Sequence, residues 1–530
     1  MHMTGNLWDI HPQIHILNNY ITAESVVNAV LSVGAVAIGG DALLECAQIT
    51  EHSDALVINT GTPAPSRLDV FLSSGKRANK LNIPTVLDPV GAGATDFRRD
   101  MLKTLLKEVH FTCIRGNASE IRALINILKI SKKAVDGSNY TEQESNGAHD
   151  LTRREGDNLQ DFTGVESKEQ VISKKELFDL SKCTGAVIVV TGRNVMIADQ
   201  VSDYFVELPG GSSMQKLFTG AGCMLSAVIG AFLGGEKKDG NGKRKSIEVE
   251  GSKEVKASKG NQDTAYLDAI QTAIATYNAA ARRADIICQK EKRFGTMSFK
   301  NTFIDELSTT RLGSRKRLSL ADTFLYAITN RDCLGEEISL ENAVEQAILG
   351  GATMVQLREK EVTTEDYIKT ANSINAICRK YDIPLIINDS VYVCKAVHAS
   401  GVHLGLSDGS IEEARKTLGD DYIIGATAHN LQEAKRAFEQ GADYLGVGAA
   451  FGSATKMDAS KITTFDMYKE ITKAVPIPVV AIGGINYDNV HKLKNLGLSG
   501  IAVISGIFDA EDIKENTMRL NKKAKEEILR

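Results

Sequence analysis

The sequence predicts an α/β protein of two successive domains, the second a (β/α)8 barrel. Three observations carry this. The chain has 530 residues, more than one hydrophobic core normally spans. Continuous apolar runs alternate with helical stretches along most of it. Beyond residue 320, eight such runs recur at near-even spacing over about 200 residues, the count and size of a closed parallel barrel. A doubly wound open sheet is the alternative, and the even spacing favours closure.

In the first part the strand candidates are ALVINTG (55–61), PTVLDPVG (84–91), FTCIRGN (111–117) and AVIVVTG (186–192). Each is apolar throughout, as in parallel strands buried on both faces, and each ends in Gly, Asn or Asp. Ligand groups would therefore gather at strand C-termini. VAIGG occurs at 36–40 and again at 480–484, read as a chance likeness between two buried strands.

LFTGAGCMLSAVIGAF (217–232) reads as a loop, a Gly-Ala-Gly turn and a long apolar helix. A helix start presents unpaired N–H groups and a positive dipole end, so this turn can cradle an anion. An acidic residue would be expected beside it to take an acceptor's proton. Cys223 stands there instead, as a base, a nucleophile or a small buried residue.

Residues 137–168 and 236–262 are polar and rich in Gly, Ser and charge, and are expected to be solvated surface insertions. STTRLGSRKRLS (308–319) reads as a linker. The expected domains are 1–307 and 320–530.

The composition is that of a globular protein, 43% hydrophobic and 24% charged, with a net charge of −5 from 62 basic and 67 acidic residues. That balance argues against a nucleic-acid or membrane-surface binder. The eight cysteines are scattered without a CxxC pair, and the start lacks the pattern of a signal peptide. The apolar tracts are too short to cross a bilayer. A reducing, cytoplasmic setting is expected.

The barrel strands are expected at 324–329, 354–358, 384–388, 401–405, 422–427, 444–449, 479–483 and 501–505. In such barrels catalytic groups sit where strands end. Those ends carry Gln356, Arg358, Glu359 and Lys360, then Asn388 and Asp389, Asp408, Thr427, the group Ser453, Thr455 and Lys456, then Gly483 and Gly484, and Ile504 with Ser505. The two glycines and the serine suit a phosphate. Asp389 and Asp408 suit a hard divalent ion, and Arg358, Lys360 and Lys456 suit further phosphate oxygens. The residues alone thus point to two phosphorylated substrates facing one Mg2+. Each has a structural alternative: Arg358 and Glu359 as an ion pair, Asp408 as a helix cap. His403 and His429 read as core or supporting residues.

QLREK, IIND, GVHLG, the TK after the sixth strand and AIGGI closely resemble thiamin-phosphate synthase, across essentially all of 321–510. The resemblance implies joining of 4-methyl-5-(2-phosphoethyl)thiazole to hydroxymethylpyrimidine diphosphate, with release of pyrophosphate. It places Asp389 and Asp408 on Mg2+, and Gln356, Arg358, Lys360, Asn388, Thr427 and Lys456 on the pyrimidine diphosphate. Ser453, Thr455, Gly483, Gly484, Ile504 and Ser505 fall near the thiazole phosphate and the pyrophosphate. Lys456 would be catalytic, stabilising the leaving diphosphate. The sequence departs from the family at Thr427, usually Ser, at Gly452-Ser453, usually Pro-Thr, and at Leu406, usually Gln.

VLDPVGAGAT (86–95), IRGNASEI (114–121), VVTG (189–192) and TGAGCMLSA (219–227) resemble hydroxyethylthiazole kinase over about 10–300, with GTMSF (295–299) a looser match. That resemblance implies a ribokinase-like fold and phosphorylation of the thiazole alcohol by ATP, giving what the barrel consumes. By it, Asp88 and Glu120 hold Mg2+, Arg115, Asn117 and Thr191 meet ATP, and Gly220, Ala221 and Gly222 form the anion hole. Cys223 becomes the general base, its thiol acidified by the helix start. The family tends to have a substrate-contacting Met where Gly39-Gly40 stand. It also implies a trimer built through this domain. The implied partners are small molecules: hydroxyethylthiazole, ATP and hydroxymethylpyrimidine diphosphate. A non-catalytic scaffold or ligand sensor is the alternative reading of the first half.

Overall fold

The structure is a computed structural model that describes residues 7–130, 172–236, 259–308, 318, 321–335, 338–360, 362–451 and 463–529. The insertion expected at 137–168, most of that at 236–262 and nearly all of the linker lie outside these residues.

The chain forms two compact units. The first comprises residues 1–210 and 219–273 and is built on an eight-stranded sheet. Its strands are β1 (Gln13–Leu17), β2 (Val36–Ile38), β3 (Ala55–Asn59), β4 (Thr85–Asp88), β5 (Cys113–Asn117), β6 (Val187–Thr191), β7 (Asn194–Asp199) and β8 (Tyr204–Pro209). The order is β2-β1-β3-β4-β5-β6-β7-β8. The first six run parallel, while β7 and β8 fold back antiparallel. The chain leaves β1 toward β2 and returns on its other side to β3, so the strand order reverses between β1 and β3. Ligands in open α/β sheets bind beyond the strand C-termini at such a reversal. β3 and β4 are buried at every position, as their unbroken apolar runs require.

The second unit comprises residues 211–218 and 274–530. Its eight parallel strands are β9 (Leu325–Ile328), β10 (Met354–Leu357), β11 (Leu385–Asn388), β12 (Gly401–Leu404), β13 (Ile423–Ala428), β14 (Tyr444–Gly448), β15 (Val479–Ile482) and β16 (Gly500–Val503), with β16 closing on β9. Tyr326, Met354, Ile386, Ile423, Tyr444, Val480 and Ala502 pack together as the barrel's inner core. Side chains alternate along a strand, so Gln356, Asn388, His403 and Thr427 share that inward parity nearer the strand ends. The helices between strands start on side chains that accept from a free backbone N–H, such as Ser339, Thr363, Ser410 and Thr464.

The expected fold of a ribokinase-like domain through residue 307 followed by a barrel is corrected in the make-up of its first part, while the order, with the closed parallel barrel last, fits. Residues 211–218 and 274–308, expected to belong to the first domain, cluster with the barrel. Arg283 shows why. Buried in the helix Lys259–Lys290, it donates to Glu306 Oε2 at 2.8 Å and to Asp382 Oδ2 at 3.1 Å, just before β11. A guanidinium paired on two sides satisfies the cost of burying the charge. The N-terminal unit is an eight-stranded, mostly parallel sheet ending in an antiparallel pair.

VAIGG at 36–40 is likewise corrected. Val36–Ile38 is a strand, but an edge strand with no buried position.

Candidate active sites

In the first unit the polar residues gather beyond the reversal between β1 and β3. Asp88, the last residue of β4, is fully buried and accepts from Asn59 Nδ2 at 2.7 Å. Asn59 ends β3 and in turn accepts from Asn19 Nδ2 at 3.0 Å, in the loop after β1. Asn19 Nδ2 also reaches the Cys223 sulfur at 3.4 Å. Arg115, on β5, faces Asp88 Oδ1 at 3.5 Å and donates to Thr191 Oγ1 at 2.7 Å. Asp88, Arg115, Thr191 and Cys223 therefore share one pocket.

The turn 220–222 has the backbone its composition requires. Gly220 has φ +104°, and the helix Ala221–Glu236 starts directly after it. Gly222 faces the Arg115 guanidinium so closely that a Cβ would lie 2.5 Å from Nη1. The first turn of the helix is thus set against a fixed cation, which strengthens its attraction for an anion.

Glu120 is the third residue of the helix Ala118–Ile127 and completes a capping box with Asn117. Its oxygens accept from Asn117 N at 2.8 Å and Gly91 N at 3.1 Å. Asn117 serves as that cap through its side chain, which accepts from Glu120 N at 2.9 Å. Burial first, then the nearby charge of Asp88, raises the Glu120 carboxyl above its usual range. Burial also raises Asp88, against the pull of Arg115. Two carboxylates that repel each other at low dielectric fit a divalent cation, which relieves both.

Cys223 corrects an expectation. The helix start was expected to acidify the thiol. Burial and then the charge of Asp88 outweigh it and push the thiol up to about 11. At neutral pH the group is a thiol.

Asn19, Asn59, Thr22 and Ser226 also face this pocket and were not singled out from the sequence. Ser226 and Asn59 hydrogen-bond Asp88, and Thr22 and Asn59 hydrogen-bond Cys223. The Asn that closes the apolar part of ALVINTG was the available signal for Asn59. A Cβ on Gly39 would meet nothing within 4 Å, whereas one on Gly40 would lie 2.1 Å from Ile49 Cδ1.

In the barrel, Gln356 and Thr427 lie at inward positions of β10 and β13. The Arg358 guanidinium and the exposed Lys360 ammonium have no protein partner among the described residues, which leaves both for anions. Glu359 does not pair with Arg358. Its nearly buried carboxylate is held by Arg331, with Nη2 at 2.9 Å. Tyr367 Oη donates to the carbonyls of Leu357 and Asn388, pinning the ends of β10 and β11 side by side.

Asp389 follows β11 in the left-handed region, φ +62°, and accepts from Asn388 Nδ2 at 2.5 Å. Asp408 accepts from Gly405 N at 2.8 Å and does not cap the next helix, whose cap is Ser410. Both carboxylates are exposed, hard oxygen donors. Among the described residues no three His, Cys, Asp or Glu side chains cluster as metal ligands. A Mg2+ here would therefore draw its other ligands from substrate and water, as this ion commonly does. Gly483 and Gly484 are consecutive residues with φ +106° and +63°, a backbone that can turn N–H groups toward an anion. Ile504 caps the short helix Ser505–Phe508, and Ser505 is exposed. Ser453, Thr455 and Lys456 lie outside the described residues. No helix among the described residues is long and apolar enough to cross a membrane.

Residues 325–507 match the family described as thiamine monophosphate synthase, and residues 5–157 and 150–263 match the hydroxyethylthiazole kinase family. The thiamine-phosphate synthase of Clostridium tetani is 48% identical over 194 residues, which are 37% of this chain and 92% of that protein. The thiamine biosynthesis bifunctional protein ThiM/ThiE of Symbiobacterium thermophilum is 27% identical over 504 residues, covering 94% of this chain and 93% of that one. A solved thiamine phosphate pyrophosphorylase from Pyrococcus furiosus is 38% identical and covers 39% of this chain and 96% of its own, with a TM-score of 0.36. The chain is a transferase that belongs, through its barrel, to the thiamine-phosphate synthase family and carries a hydroxyethylthiazole kinase region ahead of it.

Proposed function

We propose that the chain carries out two consecutive transfers. The first unit phosphorylates 4-methyl-5-(2-hydroxyethyl)thiazole with ATP. The barrel joins the resulting phosphate to hydroxymethylpyrimidine diphosphate, giving thiamin phosphate and pyrophosphate. One observation supports this most. The Gly220–Gly222 turn, Arg115 and Asp88 form an anion-handling pocket in one unit, while the other presents Arg358 and Lys360, without a side-chain partner among the described residues, beside two carboxylates. The product of the first reaction is a substrate of the second.

In the first unit, Arg115 and Thr191 address the nucleotide, with Asn117 holding Glu120 in place. The N–H groups of Gly220, Ala221 and Gly222 receive the phosphoryl group in flight. Cys223, in the small fraction present as thiolate, receives the alcohol proton. Its high proton affinity makes that thiolate a strong base but a scarce one at neutral pH, and a loose phosphoryl-transfer transition state asks little of the base. Asp88 and Glu120 would hold Mg2+, which when bound would neutralise phosphate charge.

In the barrel, Arg358, Lys360 and Lys456 neutralise the diphosphate as the C–O bond breaks and its electron pair leaves with the pyrophosphate. The thiazole nitrogen then bonds to the pyrimidine methylene carbon. Gln356, Asn388 and Thr427 address the pyrimidine. Gly483, Gly484, Ile504 and Ser505, with Ser453 and Thr455, address the thiazole phosphate and the departing pyrophosphate. Asp389 and Asp408 would hold Mg2+ there.

A homo-oligomer built through the first unit is part of the proposal. Exposed Tyr20, Ile21, Leu43 and Leu44 support it, since the bond from Tyr20 Oη to Asp41 at 2.8 Å draws their two loops together. Asp88→Asn separates the activities. It should abolish ATP-dependent use of the alcohol and leave synthesis from the thiazole phosphate intact. Loss of both, with the fold preserved, would count against two independent sites.

A further inference from the structure

Three residues left without a role above form a continuous hydrogen-bonded chain through the barrel interior. Gln356 Nε2 donates to Tyr326 Oη at 2.6 Å. Tyr326 Oη lies 2.8 Å from Tyr444 Oη, which lies 3.0 Å from His403 Nδ1. His403 Nε2 lies 3.0 Å from Thr427 Oγ1. The two ends are two of the three residues assigned to the pyrimidine, and they come from strands β10 and β13.

The barrel is shaped for this chain. Both tyrosines are fully buried, and burial holds each phenol in its O–H form. Gly425 and Gly446 occupy inward positions beside them. A Cβ on Gly425 would lie 2.1 Å from the Tyr444 ring, and one on Gly446 would lie 3.3 Å from the His403 ring. The rings of Tyr326 and Tyr444 meet edge to face at 5.8 Å.

Each phenol has one proton, so the chain has a direction. With Gln356 donating to Tyr326, the Tyr326 proton goes to Tyr444 and the Tyr444 proton to His403 Nδ1. A neutral imidazole accepting there carries its proton on Nε2 and gives it to Thr427 Oγ1. The Thr427 hydroxyl then keeps its own proton for a ligand, and Gln356 keeps its carbonyl oxygen as an acceptor. Turning the Gln356 amide over would reverse every link and both ends together. An aminopyrimidine carries an amine donor and ring-nitrogen acceptors, the complement of the first sense.

We infer that His403, Tyr444 and Tyr326 are positioning residues that fix, as one unit, the hydrogen-bonding sense in which Gln356 and Thr427 meet an aminopyrimidine. This rests on the reading of the barrel as the synthase.

The test uses the full chain with Tyr444→Phe, Thr427→Val and the double variant. Tyr444→Phe cuts the chain without changing ring volume. It should raise the KM for hydroxymethylpyrimidine diphosphate roughly tenfold, the usual cost of a lost buried hydrogen bond, and leave the KM for thiazole phosphate and the ATP-dependent reaction unchanged. The double variant should be little worse than either single one, because both break the same unit. Independently of turnover, 15N NMR of the histidine rings should show His403 neutral with its proton on Nε2. Its signal is identified by its loss in His403→Gln, and Tyr444→Phe should mix the tautomers. Multiplying effects in the double variant, an unchanged KM in Tyr444→Phe, or a proton on Nδ1 in the parent protein would each overturn the inference. A parent protein that forms no thiamin phosphate would instead defeat the synthase reading, and the tautomer measurement would still decide whether the chain has the stated direction.

Discussion

Asp88 faces the thiol of Cys223 across the start of a buried helix, and burial together with that carboxylate pushes the thiol up to about 11. The acidifying effect of a helix start is real, but it falls off within one turn and is smaller than the penalty for charging a buried sulfur. If Cys223 takes the alcohol proton, ATP-dependent phosphorylation should rise about tenfold per pH unit between pH 7 and 9, because only the scarce thiolate is competent. Initial rates at saturating ATP and alcohol would check this. A flat profile that survives Cys223→Ser would remove the residue from the proton path.

Gly222 and Arg115 are in contact where any side chain would intrude. Gly222→Ala places a methyl group 2.5 Å from Nη1 and must displace the guanidinium from Asp88 and Thr191. ATP-dependent phosphorylation should fall by roughly tenfold to a hundredfold, as small misplacements of a charged clamp do. Synthesis from the thiazole phosphate should be unaffected in the same preparation.

Gly39 and Gly40 separate by the same reasoning. A side chain at position 39 enters open space, whereas one at 40 meets Ile49. Gly39→Met should leave the unfolding midpoint nearly unchanged and lower the KM for the thiazole alcohol, while Gly40→Met should destabilise by about 1–3 kcal/mol through overpacking. Thermal unfolding and alcohol saturation curves distinguish the two.

Glu176 illustrates a pH-dependent contribution to stability. Arg122 holds its carboxyl down to about 2, and the carboxylate also caps the helix Lys174–Thr184 through Ser173. A depressed carboxyl stabilises fully above its unfolded value near 4.5, and that contribution fades as pH falls toward 2. Arg122→Ala should therefore cost about 1–2 kcal/mol at pH 7, discounted for the partial exposure of the pair, and progressively less below pH 4. Denaturant unfolding at pH 7 and pH 3 would show the gap closing.

Much of this was legible in the sequence where one residue type carries the signal. Unbroken apolar runs located β3, β4, β5, β6 and the eight barrel strands to within a few residues, because strands buried on both faces admit little else. β1 was missed because His15 interrupts QIHIL, and only the structure shows that histidine buried with Thr50 and Gly40 as partners. β7 and β8 were missed because an antiparallel pair at a sheet's end alternates and is partly exposed. In the sites, the Gly220–Gly222 turn stood out by type and position, whereas Asp88 and Arg115 were named through the family resemblance. Partners supplied by distant segments did not: Asn19 for Cys223, Arg331 for Glu359, and Arg283 for Glu306 and Asp382. Proton affinity was least legible, since it depends on how deeply Cys223 is enclosed.

The most direct measurement supplies hydroxymethylpyrimidine diphosphate, Mg2+ and unphosphorylated hydroxyethylthiazole, with and without ATP, beside a reaction given the thiazole phosphate. The expected result is thiamin phosphate that requires ATP when the alcohol is supplied and not when its phosphate is. Product from the phosphate alone, with none from the alcohol and ATP, would contradict the two-reaction account and leave the first unit without the activity proposed for it.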